Sequence, residues 1–66
     1  MIDKVKKCII EFYKTSDKDI YMDFDYVVKN TGLSESDVNK ALRQLIDKGF
    51  VKDAQYADDV PVSFTI

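Results

Sequence analysis

From Ile2 to Lys14 the apolar residues Ile2, Val5, Cys8, Ile9, Phe12 and Tyr13 return every three or four positions, with Asp3, Lys4, Lys7, Glu11 and Lys14 between them. At about 100° per residue the first set gathers on one side and the second opposite, which predicts an amphipathic helix. Ile10 lies about 60° beyond the edge set by Tyr13, with Lys6 between them. The apolar arc is therefore wider than a small core needs. Either two further elements of the chain cross it, or Ile10 and Tyr13 offer a homodimer contact.

Thr15 to Asp19 is a polar loop, and Ile20-Tyr21-Met22 is β-prone but long enough only for a small strand. Asp23 then stands as an N-cap for a helix from Phe24 to Asn30, with acids in the first turn where the helix dipole favours them. Thr31-Gly32 ends that helix, and Leu33 docks inward before the next start. Ser34-Glu35-Ser36-Asp37 places a capping hydroxyl three residues before an acid, a capping-box pattern with Asp in place of the usual Glu. The helix that follows runs from Ser34 to Lys48, with Val38, Ala41, Leu42, Leu45 and Ile46 at core spacing and Gly49 as its stop. Phe50–Tyr56 and Pro61–Ile66 read as two strands around Ala57-Asp58-Asp59-Val60, a β-hairpin. In the second strand Val62, Phe64 and Ile66 alternate with Pro61, Ser63 and Thr65, so the first three are expected to face the core.

Sixty-six residues allow one domain, residues 1–66, of α+β class with one small core. At 45% hydrophobic and 33% charged the composition is that of a folded chain. The absence of His and the single Cys8 exclude His-dependent nucleophilic triads, Cys/His zinc sites and a disulfide framework. A calcium loop begun at Asp17 would need Gly at Met22 and Glu at Val28, and no glycine-rich phosphate loop occurs. No metal, cofactor or enzymatic activity is expected. Cys8 falls on the apolar side of its helix as an inert thiol, and the four tyrosines read as aromatics at the core edge. There is neither an apolar run of about 18 residues nor a signal-peptide pattern, so a cytoplasmic protein with no membrane partner is expected.

The order helix, short strand, helix, glycine turn, helix, glycine stop, hairpin resembles a winged helix-turn-helix domain. Thr31-Gly32-Leu33-Ser34, followed by Val38, Leu42, Leu45, Gly49, Phe50 and Val51, is similar to the pattern of small MarR-like and ArsR-like regulators. The resemblance covers nearly the whole chain and is strongest from Val27 to Val51. It implies that the helix from Ser34 is a recognition helix, that the hairpin is its wing, and that the chain is a sequence-specific regulator of transcription. Independently of the family, a helix fits the major groove of B-DNA, and the residues that can touch it point away from the core. On the third helix these are Ser36, Asn39, Lys40, Arg43 and Asp47. Arg forks onto guanine and Asn onto adenine, while Ser and Lys take phosphate or base. Double-stranded DNA is the expected partner, read by Ser36, Asn39, Lys40 and Arg43, with Lys29 and Thr31 steadying the phosphate backbone.

Charge opposes a strong monomeric interaction. The net charge is −2: five lysines stand against four acids before Asp23, four bases against five acids from Asp23 to Gly49, and one lysine against three acids thereafter. Glu35 and Asp37 begin the third helix and Asp58-Asp59 occupy the hairpin tip. A monomer with few cationic contacts binds in the nonspecific range of roughly 10⁻⁴ to 10⁻⁶ M, so specificity calls for a dimer. The alternative is a winged-helix module that docks a partner protein through the acidic tip and the first helix, with little affinity for DNA.

Overall fold

Two glycines divide the helical part of the chain, and each does so through a left-handed backbone that other residues adopt only at a cost. The computed structural model describes all residues from Met1 to Ile66. It contains α1 (Ile2–Thr15), β1 (Met22–Asp23), α2 (Phe24–Thr31), α3 (Glu35–Asp47), β2 (Lys52–Ala57) and β3 (Val60–Thr65), an α+β arrangement of three helices and one antiparallel sheet. Gly32 (φ 72°) stops α2 and returns its N–H to the Val28 carbonyl at 3.0 Å. Gly49 (φ 77°) stops α3 with the paired bonds of a Schellman motif, Gly49 N–H to Ile46 O at 3.0 Å and Phe50 N–H to Leu45 O at 2.9 Å. That turn sends Val51 into the core and lays Phe50 half-buried beneath the Lys6 ammonium, 5.1 Å from the ring centre.

At the start of α3 the Ser34 hydroxyl accepts the Asp37 N–H at 3.1 Å. The reciprocal half of the capping box does not form, because the Asp37 side chain is one methylene shorter than Glu. Asp23 does hold the N-cap position of α2 in extended conformation, but its side chain makes no capping bond.

The sheet order is β1-β3-β2, so the short strand joins the hairpin as a third strand, with Met22 opposite Phe64 and Asp23 opposite Ser63. Between β2 and β3 the register steps from Lys52↔Thr65 to Gln55↔Ser63 and then to Tyr56↔Pro61. The first step leaves an extra residue on β2, around Asp53 (φ 52°), and the second leaves Val62 extra on β3. The second of these bulges corrects the alternation expected in β3. Phe64 faces the core, but Val62 is turned to solvent while Pro61 and Thr65 are buried. The unpaired Val62 shifts the period-two phase and puts Pro61 on the same face as Phe64, while Thr65 is covered by the segment after α1, whose Lys18 carbonyl its hydroxyl engages. At the tip, Asp58 (φ 51°) and Asp59 (φ 65°) form a two-residue connection whose paired positive φ values mark a type I′ turn.

The core draws on every layer: Val5 and Ile9 from α1, Phe24 and Val27 from α2, Val38, Ala41, Leu42 and Leu45 from α3, and Met22, Val51 and Phe64 from the sheet side. Each large aliphatic or aromatic member contributes about 1.5–3 kcal/mol by leaving water.

Above this core the Tyr13 hydroxyl donates to the Ile20 carbonyl at 2.5 Å and lies 3.3 Å from the Thr65 hydroxyl, which donates to the Lys18 carbonyl. The segment between α1 and β1 is thus pinned at two carbonyls. Tyr13 is half-buried in this role, so only Ile10, 41% exposed, remains of the surface that the sequence suggested for a second copy. Phe12 packs edge-on against both Tyr13 and Tyr26, with ring centres 4.9 and 5.3 Å away. No helix is long and apolar enough to cross a membrane.

Candidate nucleic-acid interface

Burial of Val38, Ala41, Leu42 and Leu45 fixes the rotation of α3 about its axis, and with it what the helix shows to solvent. Ser36, Lys40, Arg43, Gln44 and Asp47 are exposed, and Asn39 is half-buried at the margin. The side chains expected to point outward therefore do so, in two rows of four-residue spacing. One row is Ser36, Lys40 and Gln44. The other is Asn39, Arg43 and Asp47. Gln44 did not figure among the expected contacts, although its place four residues beyond Lys40 puts it in line with the open row.

The rows differ in what engages them. No hydrogen bond within the chain occupies the side chains of Ser36, Lys40 or Gln44, whereas Arg43 is engaged on three sides. Its Nε–H donates to Asn39 Oδ1 at 3.1 Å, and Nη2–H donates to the backbone carbonyl of Asp59 at the hairpin tip. The guanidinium carbon also lies 5.9 Å from the centre of the Tyr56 ring, inside the range of a cation–π contact. The helical neighbour that Arg43 uses is Asn39 and not Asp47, the four-residue partner that an ion pair would favour. Tyr56 is the residue that sequence reasoning missed here. It is 50% exposed, and Tyr21 and Tyr26 are exposed as well, which corrects the reading of these three as core-edge aromatics.

The two α2 positions fare differently from each other. Thr31 is 5% exposed; its hydroxyl donates to the Val27 carbonyl at 2.7 Å and accepts the Leu33 N–H at 3.3 Å. It is spent inside the turn that joins α2 to α3 and cannot steady a phosphate. The signal was present in the sequence, since a threonine directly before a helix-stopping glycine can bond back to the preceding turn. Lys29 is exposed, but it borders a shallow depression with Asp23, Asp25, Tyr26 and Val28 and no residue of α3.

Acids surround the ridge. Glu35 is exposed in the first turn of α3, Asp47 lies at its far end, and the carboxylates of Asp58 and Asp59 are exposed beside the carbonyl that Arg43 engages. A second negative locus lies across the sheet, where the Tyr21 hydroxyl donates to Asp53 Oδ2 at 3.4 Å. The Asp53 carboxylate pushes the Tyr21 phenol above its usual value, with smaller contributions from desolvation and Asp19. Cys8 is half-buried in a groove of about 490 Å³ with Glu11, Phe12 and Tyr26, and burial, helped by Glu11, raises its thiol pKa. That is the environment of an unreactive cysteine. No group of three or more acids or cysteines is gathered closely enough to hold a metal ion.

Neither a family model, nor a curated protein, nor a solved structure matches this chain.

Proposed function

We propose that the chain is a small winged-helix domain that binds duplex DNA through α3, acting as a sequence-specific cytoplasmic regulator of transcription. The observation that carries this reading is the solvent face of α3. It presents Ser36, Lys40 and Gln44 unengaged, with Arg43 and Asn39 alongside, on a helix whose opposite face is buried and therefore rigidly oriented. The element order, with the hairpin packed next to the third helix and the short strand joined to it, supports the winged-helix assignment.

In this reading Lys40 meets a phosphate, Ser36 and Gln44 reach phosphate or base edges, and Lys29 gives a flanking cation. Arg43 and Asn39 supply the base-reading forks. With few cations per chain, two copies spaced by one helical turn of DNA raise affinity into the specific range. Ile10 is the exposed apolar residue around which α1 would pair.

The test is a salt titration with random-sequence duplex. The two cationic phosphate contacts, Lys40 and Lys29, give a slope of log affinity on log salt near about −2, and Lys40→Ala makes it shallower by about one. Absence of binding at about 50 mM salt refutes the reading. A second reading, docking of a partner protein, is favoured by one feature: the exposed carboxylates of Asp58 and Asp59 stand where phosphate would approach the wing. It predicts no binding to random duplex at low salt.

A further inference from the structure

The side chains best suited to read base edges are bonded to one another and to the hairpin. Adenine recognition by Asn needs its carbonyl oxygen as acceptor and its amide as donor together. Here Asn39 Oδ1 accepts Arg43 Nε–H with one of its two lone pairs, which turns the amide towards the arginine and along the helix. Guanine recognition by Arg needs two parallel donors from the guanidinium. In Arg43, Nε faces Asn39, Nη2 faces the Asp59 carbonyl, and one face of the group lies against Tyr56. The tip that holds it is a type I′ turn built from two aspartates in place of the Asn-Gly pair that this turn favours.

We infer that the hairpin tip is an autoinhibitory latch on α3: in the free chain it sequesters Arg43, and through Arg43 also Asn39, and base readout requires the tip to let go. The inference rests on the DNA-binding reading and names what regulates that surface. Ser36, Lys40 and Gln44 make the first, salt-sensitive encounter with the duplex. Release of Arg43 from the Asp59 carbonyl and the Tyr56 ring follows and converts the encounter into sequence reading. Once released, Arg43 also adds a cation for phosphate, so loosening the tip strengthens binding to any duplex.

Arg43 is the only arginine in the chain, so its Nε–H gives a single assignable nuclear magnetic resonance signal. In the free protein that signal should stand away from the free-arginine position and move towards it in Asn39→Ala and in Tyr56→Ala. A wild-type signal at the free-arginine position would overturn the latch.

The second arm measures affinity for a short random-sequence duplex at about 50 mM salt. Tyr56→Ala keeps every cation of the ridge and loosens the tip, so the variant should bind about two- to fivefold more tightly, the equivalent of one exposed cation–π contact. Equal affinity overturns the latch, and weaker binding overturns it by making Tyr56 a direct contact. If neither protein binds, the DNA-binding reading falls and the latch with it, while the free-protein spectra still report whether Arg43 is held. Loss of the proposed function is thereby distinguished from a latch that was never closed.

Discussion

Asp58 and Asp59 both sit at positive φ, at 51° and 65°, in a turn whose geometry favours Asn followed by Gly. The double substitution Asp58→Asn with Asp59→Gly should therefore stabilise the protein. Left-handed backbone costs an ordinary L-residue about 1–2 kcal/mol, towards the lower end for Asp, and glycine removes that cost. Glycine also loosens the unfolded chain, which returns about 0.4–1 kcal/mol. Asn in place of Asp at the first position adds a few tenths of a kcal/mol, roughly, by tolerating the left-handed region better. The net gain is about 0.5–1 kcal/mol, which for a domain of this size raises Tm by about 2–8 °C. The substituted turn retains the backbone carbonyl at position 59, so the acceptor for Arg43 is kept. Thermal unfolding followed by circular dichroism, at low salt and at about 1 M salt, where charges are screened within about 3 Å, is the assay. A gain that persists at high salt identifies the backbone as its source. An unchanged or lower Tm refutes the turn assignment, and a gain seen only at low salt places the effect in the paired carboxylates instead.

Three other outcomes follow from single contacts. Thr31→Val keeps the shape of a buried side chain but removes the partner of the Leu33 N–H; urea unfolding should show a loss of about 1–3 kcal/mol. Tyr13→Phe releases the Ile20 carbonyl; stability should fall by about 0.5–1.5 kcal/mol, and amide exchange should quicken between Ser16 and Tyr21 while the α3 core is unaffected. The Tyr21 phenol is raised by Asp53, so the protonated form is the one the fold favours: that contribution is intact below the ordinary tyrosine value of 10.0 and is lost as pH climbs through the raised folded value. Asp53→Asn should bring the phenolate absorbance transition back towards the ordinary value, and an unmoved transition would show that the carboxylate is not its cause.

The helices were legible in the sequence because their determinants are local. Ser34 as a cap, the stripe from Val38 to Leu45, and Gly32 and Gly49 as stops are all decided within a few residues, and the structure places α2 and α3 within one residue of the expected ends. The hairpin was legible for the same reason, since polar turn residues separate two β-prone runs, although Ala57 and Val60 pair with each other and the connection is two residues long, not the four expected. The bulges at Asp53 and Val62 were not: a residue inserted into a ladder changes which face its neighbours occupy but leaves no mark on hydrophobic alternation itself. Thus Val62 looked like core and Pro61 like rim, and each is the reverse. The outward face of α3 followed from geometry. What Arg43 touches did not, because its acceptor is a main-chain carbonyl sixteen residues away, and any residue at that position presents a carbonyl. Thr31 shows the converse. Its polarity suggested solvent, whereas a hydroxyl that can bond to its own helix is as readily buried as a small apolar group.

The left-handed residue within β2 bears on how the molecule behaves when crowded. β2 is an outer strand, and a flat outer strand is a template on which further chains can stack. Asp53 breaks the regular rise of that flank and sets a carboxylate beside the interruption, with Lys52 next to it. Fibril-like growth from this side would have to flatten the kink and bury both charges. The irregularity at Asp53 is thus a guard against polymerisation, and straightening it, for example by deleting Asp53, should trade dispersal for aggregation.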